Sequence, residues 1–357
     1  MKSSTASRLG ASQPAFFNET SNPFWSDYPA IDRDLLRVSD IIRDSVDRAA
    51  PRLQDALVEL VTRPGKMLRP AFVLLSARLR RSTGRLPFSR GGKAFGPDAA
   101  LPEKIYRMAA AVEILHLATL VHDDIVDDAD ERRGGAALHR LYGSRDAALM
   151  GDYLFSTCFS LVAGYGTMEN AQIIASGVAR ICEAEIVESE VSRPGELSLR
   201  GYLRRIAGKT ALLFSLSFHV GASEHEVAAD DLRRLRRMGY DIGMGFQIID
   251  DILDLTGDPG RLGKPAGNDL RQGILTAPII LALENDTDEK LWWLLSAESP
   301  NVDAVVAAVE QRGGFARARS LARGYTERAL REASHLPEGE VRNTLVATAR
   351  RLLERDY

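Results

Sequence analysis

Two acidic clusters with the same internal spacing are the part of this sequence with the clearest chemical potential. The first is Asp123–Asp127 (DDIVD), and the second, 127 residues later, is Asp250–Asp254 (DDILD). Each belongs to an apolar run with helical periodicity, so the first and last aspartates of a cluster lie one turn apart on one helix face. Carboxylates at that spacing repel one another and need a cation to compensate their charge. Hard divalent cations such as Mg²⁺ prefer carboxylate oxygens, so the repeated pattern predicts two helices that face each other across shared metal ions.

Basic side chains suited to phosphate accompany both clusters. Arginine supplies a planar fork for bidentate contacts, and lysine supplies a compact point charge. Only 7 of the 46 basic residues are lysines, so a lysine in such a position is more informative than an arginine. The candidates are Lys66, Arg69, Arg132, Arg133, Lys209 and Lys264. Because Mg²⁺ usually keeps phosphate oxygens and water among its ligands, the pattern predicts a phosphate-rich ligand.

The elements that must position these residues are helices. Apolar residues recur at i, i+3 and i+4 along most of the chain, and no run alternates convincingly as a β-strand would. The clearest helices are expected over Ile105–Val126 and Leu232–Leu255, each with an acidic cluster near its C-terminal end. We therefore predict an all-α fold in one domain, residues 31–357, after a flexible N-terminal segment of residues 1–30.

Composition limits the classes of function. The chain has 357 residues, of which 45% are hydrophobic and 27% are charged, as is typical of a globular protein. Its net charge of −3 gives no reason to expect nucleic-acid binding. No apolar stretch reaches the roughly 18 residues of a membrane span, and Cys158 and Cys182 are expected to be buried free thiols, so we predict a cytoplasmic protein. Arg80–Ala100 and Gly257–Asp269, both rich in glycine, are expected to be loops.

Several motifs together carry a resemblance to a known family. The runs GKMLRP, EILHLATLVHDDIVDD, GKTALLF and FQIIDDILDLTGDPGRLGKPAGND, in this order, resemble the trans-isoprenyl diphosphate synthases (polyprenyl synthetases), and in particular the long-chain polyprenyl diphosphate synthases. The resemblance covers roughly residues 33–357. It implies an isoprenoid-synthase-type helical bundle around a central cavity and a homodimer. It also implies about three Mg²⁺ ions per site, with carboxylate and diphosphate oxygens as ligands.

The resemblance further implies a reaction. Isopentenyl diphosphate would be condensed with an allylic diphosphate to give a long all-trans polyprenyl diphosphate of the kind used for quinone side chains. The partners of the chain would be these two substrates and a second copy of itself. The apolar product would leave through transient contact with a membrane.

Residue by residue, the resemblance assigns roles to the acidic and basic residues. The metal ligands would be Asp123, Asp124, Asp127, Asp250, Asp251 and Asp254. Isopentenyl diphosphate would be held by Lys66, Arg69, His116 and Arg133, and the allylic diphosphate by Arg132, Lys209 and Lys264. Thr210 and Gln247 match polar groups near the reacting carbons, and they join Asp123, Asp127, Asp250 and Lys209 as the candidate catalytic residues.

Two of these assignments stay open. His116 lies among leucines in the middle of a helix, where a hydrogen-bonded core histidine is also typical. Ile274 follows Gly273 at a position where the family often has lysine, which puts one phosphate contact in doubt.

Product length depends on the residues that precede the first cluster. In the family, the residue five positions before the first aspartate commonly forms the floor of the cavity, and here it is Ala118, followed by Thr119. Leu115 and Ala111 lie one and two turns deeper on the same stripe, at about 5.4 Å per turn. Small side chains there predict a deep channel and a product of about C30–C50. The alternative is that Ala118 only permits close helix packing and another wall sets the length.

Three other functions are compatible with parts of the pattern. A short-chain farnesyl or geranylgeranyl diphosphate synthase would share the chemistry and differ in the channel floor. A subunit of a heteromeric synthase would be expected to have lost acidic residues or the Lys66/Arg69 pair, and both are present. A terpene cyclase would need the acidic clusters but no site for isopentenyl diphosphate.

Overall fold

The computed structural model describes residues 22–63, 65–79, 100–190, 198–257, 267–297 and 300–353. Most of the two expected loops, Arg80–Ala100 and Gly257–Asp269, and with them Lys264, lie outside the described residues.

Most of the described residues are helical and very few lie in strands, so the all-α prediction is confirmed. The helices are α1 (Pro29–Val46), α2 (Pro51–Thr62), α3 (Leu68–Ala77), α4 (Glu103–Val126), α5 (Leu138–Tyr142), α6 (Ser144–Tyr165), α7 (Met168–Glu190), α8 (Leu199–Ile206), α9 (Leu212–Glu224), α10 (Ala229–Thr256), α11 (Asn268–Arg271), α12 (Ala277–Leu283), α13 (Lys290–Leu295), α14 (Val302–Gln311), α15 (Gly314–Ser334) and α16 (Glu340–Leu353). A π-helical turn, Ala207–Ala211, joins α8 to α9.

Helices α4 and α10 carry the two acidic clusters and lie at the centre of the fold. Helix α4 is buried on nearly all sides, because apolar residues surround its axis and do not form a single stripe. It packs most extensively against α6, whereas α10 packs against α9 and α15. The N-terminal half of α10 contributes to one hydrophobic core with α1, α3, α4 and α9, and its C-terminal half contributes to a second core with α12 and α15. Helix α10 therefore joins the two halves of the protein.

A small hairpin between α4 and α5 is an element that the helical periodicity did not predict. Its strands, β1 (Glu131–Arg132) and β2 (Gly135–Ala136), pair antiparallel. The two residues between them, Arg133 and Gly134, both have positive φ, 51° and 76°, as a type I′ turn requires. Strands of two residues are too short to give a periodic signal. The hairpin matters because it turns two consecutive arginines back toward α4.

The segment before α1 packs against the loop that precedes α3. Trp25 is completely buried and donates from Nε1 to the Lys66 carbonyl at 2.7 Å. Asn22 donates from Nδ2 to the Gly65 carbonyl at 2.9 Å. These side chains hold the backbone of the loop before α3. Residues 1–21 lie outside the described residues, and the boundary at residues 30/31 stays a prediction.

Helices α6 and α7 each correct one expectation. Helix α6 has 22 residues, and by length and composition alone it is apolar enough to cross a membrane. In the fold, 39% of its apolar window is buried. Its exposed residues include Leu149, Phe159 and Tyr165. The neighbouring helix α7 exposes Cys182, which was expected to be buried, whereas Cys158 is buried as expected. An apolar surface thus lies on the outside of α6 and α7.

Candidate active site

The C-terminal end of α4, the π-helical turn and α10 meet in one region and bring both acidic clusters to it. The segment after the second cluster reaches the first one directly, since Gln272 donates from Nε2 to the Asp127 carbonyl at 3.0 Å. The structure therefore brings together residues that are more than one hundred positions apart in the sequence.

Asp123 in the first cluster is paired with a lysine. Lys209 Nζ lies 3.9 Å from Asp123 Oδ2 and 2.9 Å from Glu185 Oε1 on α7. The pKa of Asp123 is raised to about 7, chiefly by burial; Lys209 opposes the shift, and the nearby Glu185 and Asp127 carboxylates contribute to it. Burial lowers the pKa of Lys209, but Asp123 and Glu185 outweigh this effect and the net pKa is raised. A single cation thus faces a group of carboxylates that carries more charge than it can balance.

Asp124 and Arg132, expected to bind metal and allylic diphosphate respectively, bind each other. Arg132 Nε donates to Asp124 Oδ1 at 2.6 Å, and a second guanidinium nitrogen contacts the same oxygen. Arg63, buried under the hairpin, donates to the carbonyls of Arg132 and Ala136, both at 3.0 Å. The hairpin therefore holds Arg132 against the end of α4. The separate ligand roles of Asp124 and Arg132 remain predictions.

The π-helical turn presents Lys209 and Thr210 to α10. It can approach closely because Gly243 has no side chain: a Cβ there would lie 2.5 Å from Ala211 Cα. One turn further along α10, Gln247 Oε1 accepts a hydrogen bond from Thr210 Oγ1 at 2.6 Å. Single π-helical turns of this kind occur frequently at functional sites.

This contact extends into a buried network around the second cluster. Gln247 Nε2 donates to Asp251 Oδ1 at 2.8 Å, and the Tyr202 hydroxyl of α8 donates to Asp251 Oδ2 at 2.6 Å. Burial raises the pKa of Asp251 to about 7, the Asp269 and Asp250 charges add to this, and the two hydrogen bonds oppose it. The Asp269 backbone N–H donates to Asp254 Oδ2 at 3.2 Å. Asp251 and Asp254 are thus held in place by protein donors.

Arg69 is a buried cation beside this region. Its Nε is buried and has no hydrogen-bond partner among the described residues. Burial lowers its pKa to about 10, and the neighbouring Arg133 contributes to the decrease. Its guanidinium carbon lies 5.0 Å from the centre of the Phe214 ring. A buried guanidinium without a full set of partners is poised for an anionic ligand.

Arg133 and His116 lie near this cation, and Lys66 precedes it in the loop before α3. Arg133 passes over Gly65, where a Cβ would lie 3.0 Å from its Nη1, and it lies 3.6 Å from Glu113 Oε1. Burial lowers the pKa of His116 well below its ordinary value, and the charges of nearby arginines lower it further, so the imidazole is neutral. Lys66 lies in the loop that Asn22 and Trp25 hold by its backbone.

The predicted chain-length residues lie in α4 in two environments. Ala111, Leu115 and Ala118 are at most 1% exposed. Thr119 is half-buried, and its hydroxyl donates to the His116 carbonyl at 2.8 Å. Of these four residues, Thr119 is thus the one that borders accessible space.

Three site residues escaped the sequence reasoning. Glu113 gave a signal that could have found it, because a glutamate within AAAVEILHL is unusual for a buried helix. Glu185 and Tyr202 gave none, since each lies in a helix that contains many charged residues.

Comparisons with known proteins agree with this geometry. A family model described as polyprenyl synthetase matches residues 50–311. Heptaprenyl diphosphate synthase component 2 of Geobacillus stearothermophilus is 35% identical over 335 residues, which are 92% of this chain and 98% of that protein.

Solved structures give the same result. The heptaprenyl diphosphate synthase of Staphylococcus aureus superposes with a TM-score of 0.82 at 29% identity, covering 92% of this chain and 99% of that one. A geranylgeranyl pyrophosphate synthase of Lactobacillus brevis superposes with a TM-score of 0.81 at 32% identity, covering 94% and 100%. The chain therefore belongs to the polyprenyl synthetase family and is a trans-prenyltransferase.

Proposed function

We propose that the protein condenses isopentenyl diphosphate with an allylic diphosphate, in the presence of Mg²⁺, to make a long all-trans polyprenyl diphosphate. One observation carries the proposal: the two acidic clusters meet in one region, and beside them lies Arg69, a buried cation whose Nε has no partner among the described residues. The acidic side suits a metal-bound leaving group, and the basic side suits a second diphosphate. A terpene cyclase would have no use for the second group.

The residues present fit Mg²⁺. Among the described residues, no three acidic, histidine or cysteine side chains are arranged to hold a metal ion unaided. The oxygen-only donor set and the crowding that raises the pKa of Asp123 nevertheless favour a hard cation that takes its remaining ligands from a diphosphate and water. Asp123 and Asp127 from α4, and Asp250 from α10, would hold it. When bound, the metal neutralises negative charge on the leaving diphosphate.

The side chains of the protein perform the other steps. Lys209 adds a fixed positive charge where the diphosphate departs with the electrons of the broken C–O bond. Arg69, Arg133 and Lys66 hold isopentenyl diphosphate so that its double bond faces the allylic carbon. Neutral His116 donates a hydrogen bond to isopentenyl diphosphate without adding charge to the site. After the new C–C bond forms, a proton is lost from the condensed product to the departing diphosphate.

The long product is supported by the relatives and by the channel residues. The Geobacillus and Staphylococcus proteins are named as heptaprenyl diphosphate synthases, whereas the Lactobacillus protein is named as a geranylgeranyl pyrophosphate synthase. Neither Ala118 nor Thr119, which borders accessible space, carries an aromatic side chain that would occupy about one turn of channel depth, and this supports the longer product.

We also place a second copy of the chain on the exposed apolar surface of α6 and α7. This surface comprises Leu149, Phe159, Tyr165, Met168 and Ile186. Exposed apolar side chains on neighbouring helices are typical of subunit interfaces. The name "component 2" of the Geobacillus relative makes a different subunit the alternative occupant.

The test is to incubate the purified chain alone with Mg²⁺, labelled isopentenyl diphosphate and primers of different length, and to size the products by mass spectrometry. We expect products of about C30–C50 that require Mg²⁺ and disappear in Asp250→Asn. Products that stop at about C15–C20 would support the short-chain alternative. Measuring the molar mass in solution for the wild type and Phe159→Glu tests the dimer, and activity that appears only with a second, different subunit would contradict it.

A further inference from the structure

A cleft on the outer side of α7 and α9 has a lining that the proposed reaction does not use. It has a volume of about 240 Å³ and lies between α7, α9 and the N-terminal half of α10. Its polar lining comprises Gln172, Ser176, Arg180, Ser215, His219 and Arg236. No acidic side chain is among its described lining residues. The cleft is therefore a concave surface with excess positive charge.

His219 is the unusual member of this lining. It is 4% exposed, and neither of its ring nitrogens has a hydrogen-bond partner among the described residues. A buried polar group without a partner costs free energy, so such a group in a cleft indicates a missing partner. Burial lowers the pKa of His219, and the charge of Arg236 lowers it further. The imidazole is therefore neutral and can offer one donor.

Arg180 and Arg236, the two arginines of the cleft, also lack side-chain partners among the described residues. Neither Arg180 nor Arg236 forms an ion pair or a side-chain hydrogen bond within the described part of the chain. By contrast Arg237, the neighbour of Arg236 on α10, lies 3.5 Å from Glu332. Two unpaired guanidinium groups and a neutral imidazole, placed around one cleft, suit a phosphate group.

The cleft continues into a larger one with both apolar and polar lining residues. The second cleft, about 810 Å³, shares Arg180, Leu212 and Arg236 with the first. Its lining adds Leu275 and Ile280. A ligand whose head lies at the arginines can therefore extend an apolar tail along the same groove.

The larger cleft also touches the back of the active site. Ala207 and Gly208 line it, and they immediately precede Lys209 in the π-helical turn. A Cβ at Gly208 would lie 2.7 Å from Ala184 Cβ on α7, so this turn and α7 are already in close contact. An occupant that presses on the turn would shift Lys209 relative to Asp123.

We propose that this groove binds an alkyl phosphate, with the phosphate between Arg180, Arg236 and His219 and the tail toward Ile280, and that occupancy changes the affinity of the active site for the allylic diphosphate. The coupling runs through the π-helical turn, which has the groove on one side and Asp123 on the other.

The first test is isothermal titration of the full chain with dodecyl phosphate below its micellar concentration, in EDTA. We expect inorganic phosphate to bind at least about tenfold more weakly, and Arg180→Ala, Arg236→Ala and His219→Leu each to weaken dodecyl phosphate at least about tenfold. Arg237→Ala is the matched control and should leave the affinity within about twofold. Equal affinity in the wild type and the double variant Arg180→Ala/Arg236→Ala would overturn the site.

Two further measurements separate this groove from other sources of binding. Dodecyl phosphate should change the KM for the allylic diphosphate in the wild type and in Arg237→Ala. It should not change this KM in Arg180→Ala/Arg236→Ala, and the same response in all three proteins would refute the coupling. Displacement of dodecyl phosphate by the allylic substrate in EDTA would place it in the active site instead. Binding only to phosphatidylglycerol vesicles would show a membrane surface and not a small-molecule site. The titration needs no turnover, so it remains informative if the proposed reaction is wrong.

Discussion

Replacing Asp123 by asparagine is expected to stabilise the metal-free protein while removing nearly all turnover. Burial and the neighbouring carboxylates raise the pKa of Asp123 to about 7 from 3.8. Between these two pH values the folded protein binds more protons at this position than the unfolded chain does, so stability is lost as the pH rises through the folded pKa. Asparagine has nearly the same shape and carries no charge.

The magnitude follows from the size of this shift. A difference of about 3 pKa units corresponds to about 4 kcal/mol of unfavourable free energy above pH 7. The pKa of about 7 already includes the attraction of Lys209, 3.9 Å from the carboxylate. Asparagine is itself a polar group that costs free energy when buried without partners, so we expect a net gain of about 2 kcal/mol at pH 8. For a chain of 357 residues this is about 3 °C in Tm. Below pH 7 the wild-type carboxylate takes up a proton, so the gain should shrink by about 1.4 kcal/mol per pH unit.

The assay is thermal and urea unfolding in EDTA at pH 8 and pH 6, for the wild type and the variant. Asp130→Asn is the control, because its carboxylate is 85% exposed and its loss should change stability by less than about 0.5 kcal/mol. Comparing variant with wild type at each pH cancels the titration of the buried histidines. Adding Mg²⁺ and diphosphate should stabilise the wild type more than Asp123→Asn. A variant that is less stable than the wild type at pH 8, or a gain that is the same at both pH values, would refute the reasoning.

Three further changes probe other parts of the site. Lys66→Ala and Arg133→Ala should raise the KM for isopentenyl diphosphate at least about tenfold more than the KM for the allylic substrate. Lys264→Ala should instead raise the KM for the allylic substrate more. Steady-state kinetics that show equal effects on both KM values would contradict two separate diphosphate sites. Ala118→Phe should shorten the product to about C15–C20 by mass spectrometry, at a cost in stability of about 1–3 kcal/mol because the position is fully packed. Tyr202→Phe removes a hydrogen bond that lowers the pKa of Asp251. The acidic limb of the pH profile of kcat should therefore move to higher pH, and an unchanged profile would exclude Asp251 from the rate-determining ionisation.

The sequence was sufficient for the helices that carry the acidic clusters. Periodic apolar residues predicted Ile105–Val126 and Leu232–Leu255, and the structure has helices over Glu103–Val126 and Ala229–Thr256. The repeated aspartate spacing predicted that both clusters belong to one site. Such patterns are reliable because burial requires a regular hydrophobic repeat over several turns.

Other features depended on contacts that no local pattern contains. The hairpin that aims Arg132 at Asp124 has only two residues per strand. The burial of Trp25 was not predicted, because it depends on a hydrogen bond to the distant Lys66 carbonyl. Tyr202 reaches Asp251 from a helix 49 positions away. Long-range hydrogen bonds of this kind are set by packing and cannot be deduced from spacing.

The π-helical turn Ala207–Ala211 has a consequence for how this protein tolerates insertions and deletions. A π-helical turn accommodates one extra residue at a smaller rotation per residue, so the helices on either side keep nearly the phase of a continuous α-helix. Tyr202 before the turn contacts Asp251, and Phe214 after it packs against Arg69, so both proposed diphosphate sites depend on this phase. Deleting one residue within the turn would restore a regular helix and preserve the phase, whereas deleting one residue elsewhere in α8 or α9 would rotate one side by about 100° relative to the other. A one-residue deletion should therefore disturb the flanking helices less inside this turn than outside it.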